Sequence, residues 1–285
     1  MRKAGGETPS AWWKNTVSAW ERFKVTAPVK DGKSDALRAP YVDYAAEADF
    51  TLVDAQIAAK YDDPARHKYT GSVADVLGTY DEKGKLTKPG KYQTNAAEAD
   101  KWDRELERVV KTYPSVEWVP TALARRGTIW DALRSGLYNA TPPNIKYFTP
   151  QQEKLLKQLE DSGRPELMDK ADALRDTARE GWRTKKDNEL NGADNLMVRN
   201  YASSVHLARK YNVRSAYVQK AIARLAYFTD IIGDQKLRGY VTNTADPSEA
   251  GKKLDYRDGQ YLQSRPGLTA VPKASGKASV LPITP

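Results

Sequence analysis

The chain has 285 residues, 40% of them hydrophobic and 29% charged, with a formal net charge of +9. It contains no cysteine, which removes disulfides, Cys-ligated zinc, iron–sulfur clusters and thiol catalysis together. Sixteen Tyr and seven Trp against four Phe favour partly wet packing surfaces, because these rings carry a polar tip.

Pro9 to Lys24 places Trp13, Val17, Trp20 and Lys24 at steps of four, three and four, the pattern of a helix with an aromatic face. Ala27 to Ser34 reads as a loop. Pro40 then opens a helix at a permitted first-turn position, with Val42, Ala46, Phe50, Val53 and Ile57 as its apolar seam. Residues 1–61 therefore form an N-terminal helical segment. Residues 62–95 are Gly- and Lys-rich and lose the period, so they read as an insertion with a hairpin turning at Lys83-Gly84.

Helical pattern returns at Ala96 and runs to Thr112, where Tyr113-Pro114 breaks it. Pro120 starts the next helix, through Leu137, and Thr141-Pro142-Pro143 stops it. A short helix from Pro150 precedes one opened by Arg164-Pro165. The pattern loosens between Asn188 and Asn195, then resumes from Leu196 to Lys210 and from Tyr217 to Ile232. Residues 96–246 thus carry paired helices, and 247–285 form an irregular basic tail. That tail includes Lys252, Lys253, Arg257, Arg265, Lys273 and Lys277 against Asp255 and Asp258.

An internal similarity stands out. ALARRGTIWDAL from Ala122 and AIARLAYFTDII from Ala221 share Ala, Ala, Arg and Asp at matching places. Each follows a shorter helical stretch ending in a basic residue and Tyr. A helix hairpin cannot cover its own apolar stripe, so such units stack. Small residues at Ala122, Ala124 and Gly127 allow close approach, and Trp130 fills the space beside them. Pro114, Pro120 and Leu123, with Ala221, Ile222, Leu225 and Ala226 of the second unit, complete the packing set.

The spacing Tyr113-Pro114, Pro120, Ala122-Leu123, Gly127, Trp130 resembles tetratricopeptide (TPR) repeats of bacterial envelope proteins, over residues 96–138 and 196–238. Arg126 in place of an apolar residue, and Asn212 and Ala226 in place of Pro and Gly, depart from that pattern. The wider run is similar to TPR proteins of myxobacteria and related deltaproteobacteria, some of them in gliding-motility machinery. The resemblance implies an all-α, TPR-like solenoid of stacked hairpins. It also implies a non-enzymatic protein–protein interaction scaffold in a periplasmic or cell-envelope complex, with other envelope proteins as partners. Trp12, Trp20, Trp102, Trp118, Tyr138 and Tyr217 are the candidate partner-binding side chains.

Signals for chemistry are sparse. His67 and His206 are the two histidines, without recognisable metal-ligand spacing. Gly78 to Leu86 differs from a phosphate loop by an extra residue between its glycines and by Leu86 where Ser or Thr is needed. Asp43, Glu47 and Asp54 share one side of a helix; they read as a solvated acidic stripe. An envelope glycan-processing enzyme would use Glu47 or Asp54 as acid, within a deep carboxylate-lined cleft. No cofactor or metal is expected. The basic residues are interspersed with acids, which disfavours the other alternative, a nucleic-acid-binding helical protein. No apolar run is long enough to span a membrane, and the opening residues lack the apolar core of a signal peptide.

Overall fold

A computed structural model describes residues 9–232, to which all structural statements below refer. They contain eight α-helices and six strands of two or three residues, so the chain is predominantly helical. The first helix, α1 (Pro9–Thr26), buries Trp13 and Trp20. Two residue pairs, β1 (Val29–Lys30) and β2 (Lys33–Ser34), turn back on each other before a 3₁₀ turn at Asp35–Leu37. The Trp20 indole N–H donates to the Ala36 carbonyl at 3.0 Å, which fixes the loop against α1.

The second helix, α2 (Tyr41–Lys60), begins one residue after Pro40, which holds the N-cap position and supplies no side-chain cap. All five residues of its expected seam are buried.

The segment after α2 is ordered and shorter than its composition suggests. It holds β3 (Gly71–Ser72), α3 (Val73–Leu77), β4 (Thr79–Tyr80) and β5 (Leu86–Lys88). The last two strands form the expected hairpin. Its turn is closed by the Asp81 carboxylate, which accepts from the Lys83 and Lys85 amides, with Gly84 at φ +76°. The fourth helix, α4 (Lys91–Thr112), starts five residues before Ala96. Gly90 explains the early start: a Cβ there would lie 2.3 Å from the Val76 carbonyl oxygen. The chain is thereby pinned against α3 just before the helix.

The fifth helix, α5 (Trp118–Tyr138), begins two residues before Pro120. The proline is still tolerated, since the first helical amides have no intrahelical partner. After β6 (Ile145–Lys146), which pairs in parallel with β3, come α6 (Pro150–Glu160), α7 (Pro165–Tyr211) and α8 (Ala216–Ile232).

The loosened pattern between Asn188 and Asn195 does not interrupt the helix: α7 is one helix of 47 residues. Leu190, Ala193, Asp194 and Met197 are buried there, at steps of about one turn, so packing carries the helix across a weak stretch of sequence. Asn212 does interrupt, at φ +53°, and Ser215 caps α8 by accepting from the Val218 amide.

Contacts divide the chain into two compact units. The first comprises residues 9–61, 101–129 and 195–232 of the described chain; the second comprises 62–100 and 130–194. In the first unit, α5 is buried on nearly every side from Val119 to Ile129. Gly127 lies against an aromatic ring rather than a backbone, because a Cβ there would fall 2.3 Å from Tyr201 Cδ1. In the second unit the close backbone approach is at Gly136, 2.3 Å from the His67 carbonyl oxygen by the same measure.

The two similar segments occupy different environments. Ala122 and Ala221 are both fully buried, and Leu123 and Ile222 nearly so. Ala124 is buried whereas its counterpart Ala223 is exposed, and Arg126 corresponds to the fully buried Leu225. Ala226 is half-buried where Gly127 is buried.

Candidate functional site: an aromatic cavity with a basic rim

Each residue singled out in the sequence has a definite place. Trp20 and Trp102 are 4% and 3% exposed, so both belong to the core and present no surface to a partner. Trp20 stacks obliquely on Tyr113 at 4.7 Å. Trp118 and Tyr217 are half-buried and flank Phe50 at 5.3 and 5.8 Å. Trp12 and Tyr138 are the exposed members, at 46% and 50%. Trp130 is buried, as a filler should be, yet its indole nitrogen has no hydrogen-bond partner.

The acids of α2 hold helices together. Asp49 accepts two bonds from the Arg108 guanidinium, at 2.6 and 3.0 Å. Asp54 accepts from Arg125 Nε at 2.6 Å through one oxygen and from the Tyr217 hydroxyl at 2.7 Å through the other. Asp43 accepts from the Ser115 hydroxyl at 2.6 Å. Two further arginines of α5 pair likewise. Arg126 makes a bidentate bond to Asp103 at 2.8 and 2.7 Å, and Arg134 meets Asp194 at 2.9 Å. Planar guanidinium forks suit this bridging.

Glu117 has its carboxyl pushed up by burial and by the neighbouring charges of Asp43 and Glu47. These acids line neither of the two cavities described here. No group of His, Cys, Asp and Glu able to hold a metal occurs among the described residues. Likewise no described helix is long and apolar enough to cross a membrane.

Two cavities lie in the second unit. One, of about 540 Å³, is lined by Ser135, Asn139 and Asn144 from the end of α5 and the following loop, with His67, Lys68 and Tyr69 from the segment after α2. The other, of about 360 Å³, lies between the end of α5, the loop after it and the middle of α7. Its aromatic lining is Tyr138, Tyr147 and Trp182, and its cations are Arg179, Arg183 and Lys186, with Asp187 as the acid among them.

The local fold explains the arrangement. Arg179, Trp182, Arg183, Lys186 and Leu190 recur at helical spacing on α7, so one stripe faces the cavity. Trp182 is 3% exposed and Leu190 7%; they form the floor, with the arginines outside.

Lys186 is the anchored cation. Its ammonium donates to the Tyr138 carbonyl at 2.7 Å and to the Ala140 carbonyl at 3.4 Å, closing the C-terminal end of α5 where carbonyls lack partners. It also lies 5.5 Å from the Tyr138 ring, and the Arg134 guanidinium lies 4.7 Å from the same ring. Burial, reinforced by Arg134 and opposed by Asp187, holds the Lys186 ammonium below the usual lysine range.

No family model, curated protein or solved structure matches the chain. The functional reading therefore rests on this geometry.

Tyr138, one of the candidate side chains in the sequence, lines this cavity. The spacing of Leu167, Ala171, Leu174, Ala178 and Trp182 places Trp182 on the apolar side of its helix, but Arg179, Arg183 and Lys186 have no distinguishing signal, since a run such as AREGWRTKK resembles a solvated face. The available signal was an isolated Trp within that run, because a large ring in a charged stretch marks the side that turns inward.

Proposed function

We propose that this chain is a non-enzymatic protein–protein interaction scaffold of the cell envelope, built from TPR-like paired helices, which holds a segment of another protein in the cavity beside Tyr138. The observation that carries the reading is the cavity itself: aromatic rings line it, and its charged lining is mainly cationic rather than a pair of carboxylates. A concave, largely apolar site with a few oriented polar groups is a common form of binding pocket. The helical character of the chain and the Tyr113-Pro114 to Trp130 spacing support the TPR-like part of the proposal. The envelope location rests on the resemblance in residue spacing alone.

The acid required by a glycan-processing enzyme finds no support in Asp54, whose two oxygens accept bonds from Arg125 and Tyr217.

The test is site-specific photo-crosslinking in native cells, with a photoreactive side chain at Tyr138 and, as control, at the exposed Tyr227. A discrete protein adduct from the envelope fraction at position 138, missing at 227, is the expected result. Equal labelling at both positions, or adducts confined to the cytoplasm, would reject the scaffold reading.

A further inference from the structure

The rim of the cavity limits what can enter it. Arg179 and Arg183 lie four residues apart on α7, a rise of about 6 Å. Both are exposed, and each has only an acid of its own helix for company. Arg179 meets Asp176 at 2.8 Å and Arg183 meets Glu180 at 3.8 Å. Exposed pairs of this kind contribute little to stability, so an incoming anion can replace them. Lys186 has committed two of its three ammonium donors to carbonyls, so it adds positive charge to the rim while remaining fixed. Asp187 is the acid among the lining residues.

We infer that the cavity takes an extended peptide segment of the pattern acid–apolar–acid from a partner protein. The inference rests on the scaffold reading above. Side chains two apart in an extended chain face the same way and lie about 6.6 Å apart, close to the rise between the two arginines. The carboxylates meet Arg179 and Arg183 in charge-assisted bonds, and the side chain between them faces the opposite way, towards Tyr138 and Tyr147.

The experiment measures fluorescence anisotropy of labelled peptides with the full chain. Gly-Glu-Leu-Glu-Gly should bind. Gly-Lys-Leu-Lys-Gly should not, and Gly-Glu-Glu-Leu-Gly, with its carboxylates adjacent, should bind several-fold more weakly. Arg179→Gln and Arg183→Gln should each weaken the first peptide by about tenfold, and its affinity should fall as salt is raised. Both arginines are exposed, and unchanged thermal unfolding of the variants verifies their folding. Comparable binding of the lysine peptide, or affinity indifferent to both arginines, would overturn the inference.

The photo-crosslinking above separates the two proposals. Protein adducts at Tyr138 without glutamate-peptide binding leave the scaffold standing and remove the acidic segment. Glutamate-peptide binding without envelope adducts retains the recognition chemistry and removes the scaffold.

Discussion

Asp54 shows how one residue type serves opposite ends. In isolation a carboxylate on a helix face suits proton transfer as well as hydration, but here it is held from two sides. Arg125, its guanidinium partner, is only 4% exposed, and its Nη1 also donates to the Thr128 hydroxyl at 2.8 Å. Removing Asp54 takes an anionic partner from Arg125 and the acceptor from the Tyr217 hydroxyl, and hydrogen bonds to charged groups contribute about 1.5–3 kcal/mol. The Asp54 side chain retains 24% exposure, so water reaches the site and the lower part of that range applies. Asp54→Ala should lower unfolding stability by about 2 kcal/mol, read from the urea midpoint. The sequence displays the four Asp and four Arg of the interhelical pairs, but not which reaches which. Arg126, a departure from the repeat pattern on sequence grounds, is accounted for by Asp103 across the gap.

At the level of elements, most helices were legible because their apolar stripes are periodic. The seam of α2 and the inner face of α7 from Val198 to Ala208 are buried as their spacing requires. Three features escaped for physical reasons. The start of α4 depends on the tight passage at Gly90, and the 62–95 segment is ordered through Tyr69, Val76, Leu77 and Tyr92, all buried, whose spacing has no single period. The continuity of α7 defies local composition: Asn188, Asn191, Gly192 and Asn195 are poor helix formers. Tertiary packing of Leu190, Ala193, Asp194 and Met197 overrides them. Gly192 thus remains a weak link in a long helix. It is exposed, and a Cβ there would meet no atom within 4 Å. Gly192→Ala should raise stability by about 1 kcal/mol, seen as a higher melting temperature by circular dichroism. A helix that ended near Asn188 would gain nothing from the change.

Over the whole chain, the prominence of tyrosine sets the response to alkali. Tyr61, Tyr69, Tyr92, Tyr113 and Tyr201 are each no more than 2% exposed. Burial is the main cause in every case where a shift is resolved. It pushes Tyr69 up to about 12, against the lowering effect of the Asn95 hydrogen bond and of Arg66. Tyr92 is pushed up further, with Glu189 adding to burial, and Tyr113 likewise, with Asp49 adding to burial. A folded-state value above that of the unfolded chain means that the folded protein keeps its proton where the unfolded chain loses it. The stabilisation is therefore complete below pH 10, the ordinary tyrosine value, and is lost as pH rises through 12 for Tyr69. That residue alone is worth on the order of 2–3 kcal/mol across the interval. Unfolding stability should be insensitive to these groups up to about pH 10 and then fall steeply. Tyrosinate absorbance should rise in two stages, exposed rings first and buried ones only with the loss of helical signal. Tyr69→Phe should flatten the decline above pH 10, since phenylalanine has no proton to lose, and Asn95 keeps its bond to the Arg66 carbonyl at 3.0 Å. A single-stage tyrosinate titration that leaves helicity intact would refute this account, because it would mean that the buried hydroxyls ionise without opening the fold.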